Sequence, residues 1–231
     1  MYKKGKAIIG VVIFSMNIIS GFVSGEDLRF KGEVVITSSY YWRGVQQFEG
    51  NALQGTSRVD YGIISLGMWY SSVIFGDGTV METDPFLSLN LPTGCWSSSV
   101  GLTVYSYDLK KYNEYADWEI EINGSIGYDC LSFSGYYVPQ QTSTKNDPSS
   151  SNYWFEFSGG IATLGINWGI TWGYGTYTSR YLKTPKEEAI STLTLSVIRS
   201  ITDYLSVNWH YIIQAEKELN NGLYITCTLT F

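Results

Sequence analysis

The stretch Asp117–Tyr128 reads DWEIEINGSIGY, and its side chains change character at every step. Apolar residues occupy the even positions, interrupted by Gly124, and acidic or small polar residues occupy the odd positions. A period of two places successive side chains on opposite faces of an extended chain. The stretch therefore predicts a β-strand with one oily face and one acidic face.

The same alternation recurs along the chain and predicts about twelve strands of roughly 8–11 residues, the length that a tilted strand needs to cross a bilayer. None of the apolar-phase positions in these strands holds Asp, Glu, Lys or Arg. The predicted strands cover residues 33–43, 53–61, 64–71, 81–90, 96–104, 117–128, 131–137, 153–157, 164–173, 188–197, 205–213 and 223–231.

Alternation alone also fits a soluble β-sandwich, in which the oily face would be the core. The connections favour a membrane barrel, because outer-membrane barrels have short turns at one rim and long loops at the other. Short connections are expected near Gly62 and at residues 92–94 and 129–130. Long connections are expected at residues 44–50, 73–79, 108–116, 139–152, 175–188 and 214–222.

Aromatic side chains cluster at both ends of the oily stripes, as in the two aromatic belts of a membrane-spanning barrel. The expected belt at the long-loop end is Tyr40, Trp42, Tyr70, Trp118, Tyr137, Tyr153, Trp172 and Tyr211. The expected belt at the short-turn end is Tyr61, Trp96, Tyr128 and Phe231. The sequence thus predicts an all-β fold, a closed antiparallel transmembrane β-barrel with short periplasmic turns and longer extracellular loops. Phe231 ends the last stripe, and we expect it to be the assembly signal for the outer-membrane barrel assembly machinery.

The first 25 residues have the pattern of a secretory signal peptide. Lys3, Lys4 and Lys6 precede an apolar segment at 7–19, and Val23-Ser24-Gly25 provides a cleavage site. A membrane anchor is the alternative, but the segment is short and an acidic stretch follows it. We therefore expect a signal peptide at 1–25 and a barrel domain at 26–231 that is exported to the cell outer membrane and contacts its lipids.

Charged side chains on the polar phase are expected to line a lumen, because burying so many charges in a dry core would be prohibitive. The expected lumen-lining residues are Glu33, Arg43, Arg58, Asp60, Glu82, Asp84, Asp117, Glu119, Glu121, Glu156 and His210. Arg43 and Arg58, on adjacent predicted strands, either face the acids across the lumen and set a transverse field or form ordinary salt bridges. Acids outnumber bases, and rings of carboxylates select cations. The sequence therefore predicts a porin-like channel for passive diffusion of small solutes that prefers cations, and a plugged structural or adhesive barrel is the alternative.

Other classes of function are disfavoured by composition. A net charge of −6 argues against nucleic-acid binding. One histidine and three cysteines offer few ligands for a transition metal, so we expect neither a metal nor a cofactor. An outer-membrane lipid-modifying enzyme needs a nucleophile and a base at the lipid edge, and the phase of His210 points it into the lumen. We therefore expect no enzyme activity.

Two cysteines flank short turns at the same rim of the predicted barrel. Cys95 and Cys130 are candidates for a disulfide, which the oxidising periplasm would permit. The strand phase opposes this bond, because it points Cys95 inward and Cys130 outward. Cys227 lies on the lipid-facing phase and is expected to stay free.

The run Thr37–Val45, TSSYYWRGV, resembles the S-x-Y-x-x-R-G start of the TorF-like porin family of outer-membrane barrels. Residues 52–61 and 67–72 are similar to the second and third strands of that family, and 82–84 to its acidic fourth strand. Pro85 stands where an aromatic residue is more usual. The resemblance covers residues 30–140 and implies a porin-like channel, without implying a substrate.

Overall fold

The computed structural model describes residues 28–75, 78–106, 118–139, 151–176, 189–215 and 221–231. These residues form fourteen β-strands, twelve of which close into one antiparallel barrel, so the predicted fold is confirmed. The strands are β1 Leu28–Thr37, β2 Tyr40–Trp42, β3 Val45–Phe48, β4 Ala52–Tyr61, β5 Ile64–Phe75, β6 Gly78–Thr93, β7 Trp96–Ser106, β8 Trp118–Tyr128, β9 Leu131–Val138, β10 Asn152–Thr163, β11 Ile166–Thr176, β12 Ala189–Ser200, β13 Leu205–Gln214 and β14 Gly222–Thr230. No helix in this part of the chain is long and apolar enough to cross a membrane.

The barrel closes by pairing its first strand with its last. Val34 of β1 lies opposite Leu229 of β14. Beyond the end of β14, the N–H of Phe231 donates to the carbonyl of Gly32 at 2.9 Å, and the Gly32 N–H donates back to the Phe231 carbonyl at 2.9 Å. On its other side β1 pairs directly with β4, so β2 and β3 do not belong to the wall. Closure leaves the twelve-stranded wall without a free edge, which lipid would not tolerate.

The outer face of the barrel is apolar and exposed. Along β5, Leu66 is 60% exposed, while its neighbour Ser65 is only 5% exposed. The expected belt at the short-turn rim is present, since its four aromatic residues are all exposed. Tyr137, Trp172 and Tyr211 are exposed toward the other rim. An apolar exterior of this kind suits lipid hydrocarbon rather than water.

The connections at one rim are short, as expected. Gly62, Gly94 and Gly165 have φ of 56°, 71° and 73° and permit tight turns there. The expected long connection at residues 73–79 is wrong, because β5 and β6 stay paired out to Phe75 and Gly78. The sequence is rich in apolar and β-branched residues up to Phe75 and again from Thr79, and such residues favour strands over loops.

The largest departure from the prediction is an inward-folded segment at residues 38–51, which we call the inward hairpin. The first predicted strand, 33–43, ends at Thr37, and β2 and β3 form a separate two-stranded sheet. Arg43 and Gly44 between them have φ of 51° and 76°, and positive φ at both central residues is the feature of a type I′ turn. Tyr40 is only 8% exposed. The placement of Tyr40 and Trp42 in the lipid-facing belt is therefore wrong, and so is the placement of Arg43 on a barrel strand.

Candidate functional site

The inward hairpin occupies the lumen toward the long-loop rim and contacts wall strands on several sides. Val45, which is 1% exposed, packs with Trp154 of β10 and Ile190 of β12. Tyr41 stacks on Tyr224 of β14 with ring centroids 4.9 Å apart. These contacts fix the hairpin across the interior, where it narrows the lumen.

The tip of the hairpin carries the best-enclosed cation in the described part of the lumen. The Arg43 guanidinium forms an ion pair with the carboxylate of Glu121 on β8, and their side chains are 9% and 2% exposed. The guanidinium carbon lies 4.1 Å from the ring centroid of Trp42 and 4.5 Å from that of Tyr136 on β9. A guanidinium keeps its proton in proteins, and the adjacent Glu121 carboxylate compensates its charge. Arg43 therefore remains a cation inside the barrel.

Four carboxylates face the lumen on β6 and β8, the two neighbours of β7. Glu82, Asp84, Glu119 and Glu121 are 7%, 3%, 8% and 1% exposed. The Tyr40 hydroxyl donates to Glu82 Oε2 at 3.1 Å. The N–H of Ser106 donates to Asp84 Oδ1 at 3.2 Å. These carboxylates lie on the inner face of the wall, and Tyr40 and Arg43 connect Glu82 and Glu121 to the hairpin.

A second charged group lies toward the short-turn rim. Asp60 accepts from Lys31 at 3.1 Å, from Arg58 at 3.3 Å and from the Ser65 hydroxyl at 2.6 Å. Glu33 accepts from the Thr56 hydroxyl at 3.0 Å. The residues lining a cavity of about 440 Å³ at this mouth are Lys31, Gly32, Glu33, Thr56, Arg58, Asp203, Tyr204, Thr230 and Phe231.

The sequence predicted Arg43 and Arg58 on adjacent barrel strands, but the structure places only Arg58 on the barrel wall. Arg58 lies on β4 and is bound to Asp60, whereas Arg43 lies at the hairpin tip and is bound to Glu121. Arg43 faces the acids, but it reaches them from the hairpin rather than from the wall.

Two further expected residues also point inward. Glu156 on β10 accepts from the Trp154 indole at 3.0 Å and from the Tyr136 hydroxyl at 3.3 Å. His210 on β13 is 2.9 Å from the Ser196 hydroxyl through Nδ1 and stacks on a tyrosine ring. This serine–histidine pair lies in the lumen, and no described carboxylate orients the imidazole as a catalytic triad requires. Asp117 lies outside the described residues.

The aromatic residues that hold the hairpin are not among the lumen-lining residues that the sequence predicts. The inward-facing rings are Trp69, Tyr105, Tyr136, Trp154 and Tyr224. Each lies on the polar phase of its strand, where a water-filled lumen favours polar side chains over large aromatic rings. Aromatic residues out of phase with the oily stripe were therefore the signal for an object packed inside the barrel.

The cysteines and the metal-binding residue types add no site in the described residues. Cys95, Cys130 and Cys227 are free, so the candidate disulfide is not formed in the structure. The described segments hold no group of three or more His, Cys, Asp or Glu that could bind a metal ion.

Solved structures of other proteins share the fold of this chain. No family model and no curated protein matches the chain. A membrane protein from a study of in-meso crystallization aligns with a TM-score of 0.57 and 10% identity, over 87% of this chain and 83% of its own. The COG4313 outer membrane channel from Pseudomonas putida F1 aligns with a TM-score of 0.55 and 11% identity, over 90% and 97%. The outer membrane protein OpdK from Pseudomonas aeruginosa aligns with a TM-score of 0.46 and 9% identity, over 90% and 68%. The shared closed barrel and the apolar exterior place this protein in an outer membrane.

Proposed function

We propose that the protein is an outer-membrane channel for passive diffusion of small solutes, constricted by the inward hairpin and selective for cations. The observation that carries this proposal is the charged constriction, where the hairpin meets the inner wall through the Tyr40–Glu82 hydrogen bond and the Arg43–Glu121 ion pair. Channels select ions by placing charged side chains at their narrowest section. The neighbouring barrel from Pseudomonas putida is itself an outer membrane channel, which agrees with this assignment.

Charge in the lumen supports a preference for cations. The described inward-facing acids are Glu33, Asp60, Glu82, Asp84, Glu119, Glu121 and Glu156, and the described bases near them are Lys31, Arg43 and Arg58. A narrow passage with low-dielectric walls focuses such a field and enriches counter-ions. The preference should weaken as salt shortens the Debye length from about 10 Å at 0.1 M to about 3 Å at 1 M.

Reversal potentials of refolded protein in a planar bilayer across a KCl gradient test this proposal. The informative variant neutralises Glu82, Asp84, Glu119 and Glu121 together, and we expect it to lose most of the cation preference. Asp129→Asn is the matched control, because Asp129 lies exposed in the β8–β9 turn. Anion preference of the unmodified protein, or unchanged selectivity in the fourfold variant, would refute the charge assignment.

The resemblance of residues 37–45 to the TorF-like porin family supports the same class of function. In the structure residues 38–45 of this run form the first part of the inward hairpin, with the Arg-Gly pair as its two-residue turn. We propose that the chain is a porin-like barrel of this kind whose signature encodes a constriction rather than a wall strand. The solute is not specified by this argument.

A plugged barrel without transport activity is the second candidate, and the burial of Val45 inside the lumen favours it. The test replaces residues 40–48 with a short Gly-Ser linker, which leaves the barrel strands intact. Conductance in the full-length protein supports the channel. Conductance only after the replacement supports a plugged barrel, in which the hairpin blocks the lumen.

A further inference from the structure

We propose that Glu121, Tyr105 and Tyr136 form a binding site for an organic cation of the guanidinium class, and that Arg43 occupies this site as a tethered ligand. A free cation that takes the place of Arg43 would release the inward hairpin and widen the lumen. The site itself stands on the geometry, and only its effect on transport rests on the proposed channel function.

The surroundings of Arg43 have the features with which proteins recognise a planar cation. The Glu121 carboxylate pairs with the guanidinium, and the Tyr136 ring lies 4.5 Å from the guanidinium carbon. The Tyr105 hydroxyl donates to Glu121 Oε1 at 3.0 Å and so orients the carboxylate toward the cation. An ion pair combined with a cation–π contact favours guanidinium over a strongly hydrated inorganic cation.

These three groups belong to the wall and stay in place without the hairpin. Tyr105 on β7 lies opposite Glu119 of β8, and Tyr136 on β9 lies opposite Asn123 of β8. The pairing of β8 with β7 along its whole length, and with β9 from Ile122 onward, therefore preorganises the site. The site is also deep in the acidic part of the lumen, so a cation that arrives there is attracted before it binds.

Arg43, unlike the three wall residues of the site, is carried by a segment that is not part of the barrel wall. The inward hairpin shares no ladder with any barrel strand, and its own pairing comprises Tyr40↔Phe48, Tyr41↔Gln46 and Trp42↔Val45. Its tip is fixed by the Arg43 ion pair and by the Gln214 amide, which donates to the carbonyl of Gly44. The hairpin can therefore leave the wall without breaking a strand pair of the barrel.

Tethering sets the concentration at which a free cation competes. A linked group acts at an effective concentration on the order of millimolar or above, so a free guanidinium compound must reach at least about that level to displace Arg43. Removing the Arg43 side chain removes this competitor. The affinity of a free guanidinium for the wall should therefore be higher in Arg43→Ala than in the unmodified protein.

The test is a titration of methylguanidinium into refolded full-length protein in detergent micelles, followed by tryptophan fluorescence, since Trp154 on the wall donates to the same Glu156 carboxylate as Tyr136 of the site. Methylurea, which has the same shape and no charge, is the control ligand. We expect saturable binding to Arg43→Ala, binding weaker by about tenfold or more in the unmodified protein, and the same loss when Glu121→Gln is added to Arg43→Ala. Arg43→Met, which retains an apolar stem, serves if Arg43→Ala does not show the heat-modifiable gel migration of a folded barrel.

The outcomes separate the site from the channel. Equal responses to methylguanidinium and methylurea, or binding that survives Glu121→Gln, would overturn the site. Binding that depends on Glu121, in a protein that carries no current with or without methylguanidinium, would support the site and overturn the channel. Binding together with a rise in the conductance of the unmodified protein would support both.

Discussion

Replacing Arg43 by Met should undock the inward hairpin while leaving the barrel intact. The side chains of Arg43 and Glu121 are 9% and 2% exposed, so their ion pair is desolvated. Removing one partner of a buried pair costs about 3–5 kcal/mol, because the other charge is left without compensation. The lost cation–π contacts add about 0.5–2 kcal/mol.

The full cost applies only while the hairpin stays docked, because an undocked hairpin lets water reach Glu121. The docking equilibrium constant should therefore fall by about a hundredfold for a loss near 3 kcal/mol, since each 1.4 kcal/mol is a factor of ten in an equilibrium constant. Hydrogen–deuterium exchange resolves this locally. We expect amides of residues 40–48 to exchange faster by roughly that factor, while amides of the barrel strands keep their protection.

Lys31→Met is the matched control. It removes the cation of the Lys31–Asp60 pair, whose lysine side chain is 50% exposed, and exposed pairs contribute about 1 kcal/mol at most. A double-mutant cycle of Arg43→Met with Glu121→Gln should show coupling of about 0.5–3 kcal/mol, because the two residues are in direct contact. Hairpin exchange that is unchanged in Arg43→Met, or raised equally by Lys31→Met, would refute the assignment of Arg43 as the group that holds the hairpin.

Three further changes probe the hairpin and the barrel closure. Gly44→Ala should speed hairpin exchange, because Gly44 has φ of 76° and an added Cβ would lie 2.6 Å from Thr192 Cγ2. Gly62→Ala has a comparable φ of 56° with nothing within 4 Å, so an equal effect on its own turn would mean that strain alone, not the clash, is responsible. Val45→Asp should undock the hairpin, because it would bury a carboxylate at a position that is 1% exposed, and the widened lumen should raise single-channel conductance. An unchanged conductance would mean that the hairpin does not limit the current. Deletion of Phe231 removes two backbone hydrogen bonds of 2.9 Å at the closing seam and should lower the amount of heat-modifiable barrel in the outer membrane without affecting export; normal insertion would contradict its role as an assembly signal.

The wall of the barrel could be predicted from the sequence because its cause is local. A strand turns successive side chains to opposite faces, and lipid excludes charge from one of those faces. The phase of residues 117–128 therefore identified Glu119 and Glu121 as inward-facing and Ile120 and Ile122 as lipid-facing, and the structure agrees. The number of strands followed from repeating the same argument along the chain.

The inward hairpin could not be predicted in this way. Residues 33–43 carry Val34, Ile36, Tyr40 and Trp42 on one phase, so the pattern favours one long strand that runs through Tyr40 and Trp42. The Arg-Gly pair marks a site where the chain can reverse, but it does not say toward which side of the wall the chain goes. Aromatic residues on the polar phase, such as Tyr136 and Trp154, showed only that something apolar is packed inside.

The inward position of the hairpin is decided by contacts between residues that are far apart in the chain. Arg43 and Glu121 are separated by 78 positions, and only closure of the barrel brings the hairpin tip to the inner face of β8. Local alternation therefore determined which side chains face lipid and which face the lumen. Only the tertiary structure decided that the lumen is constricted, because the free energy that holds the hairpin inside comes from rings and charges that no local pattern connects.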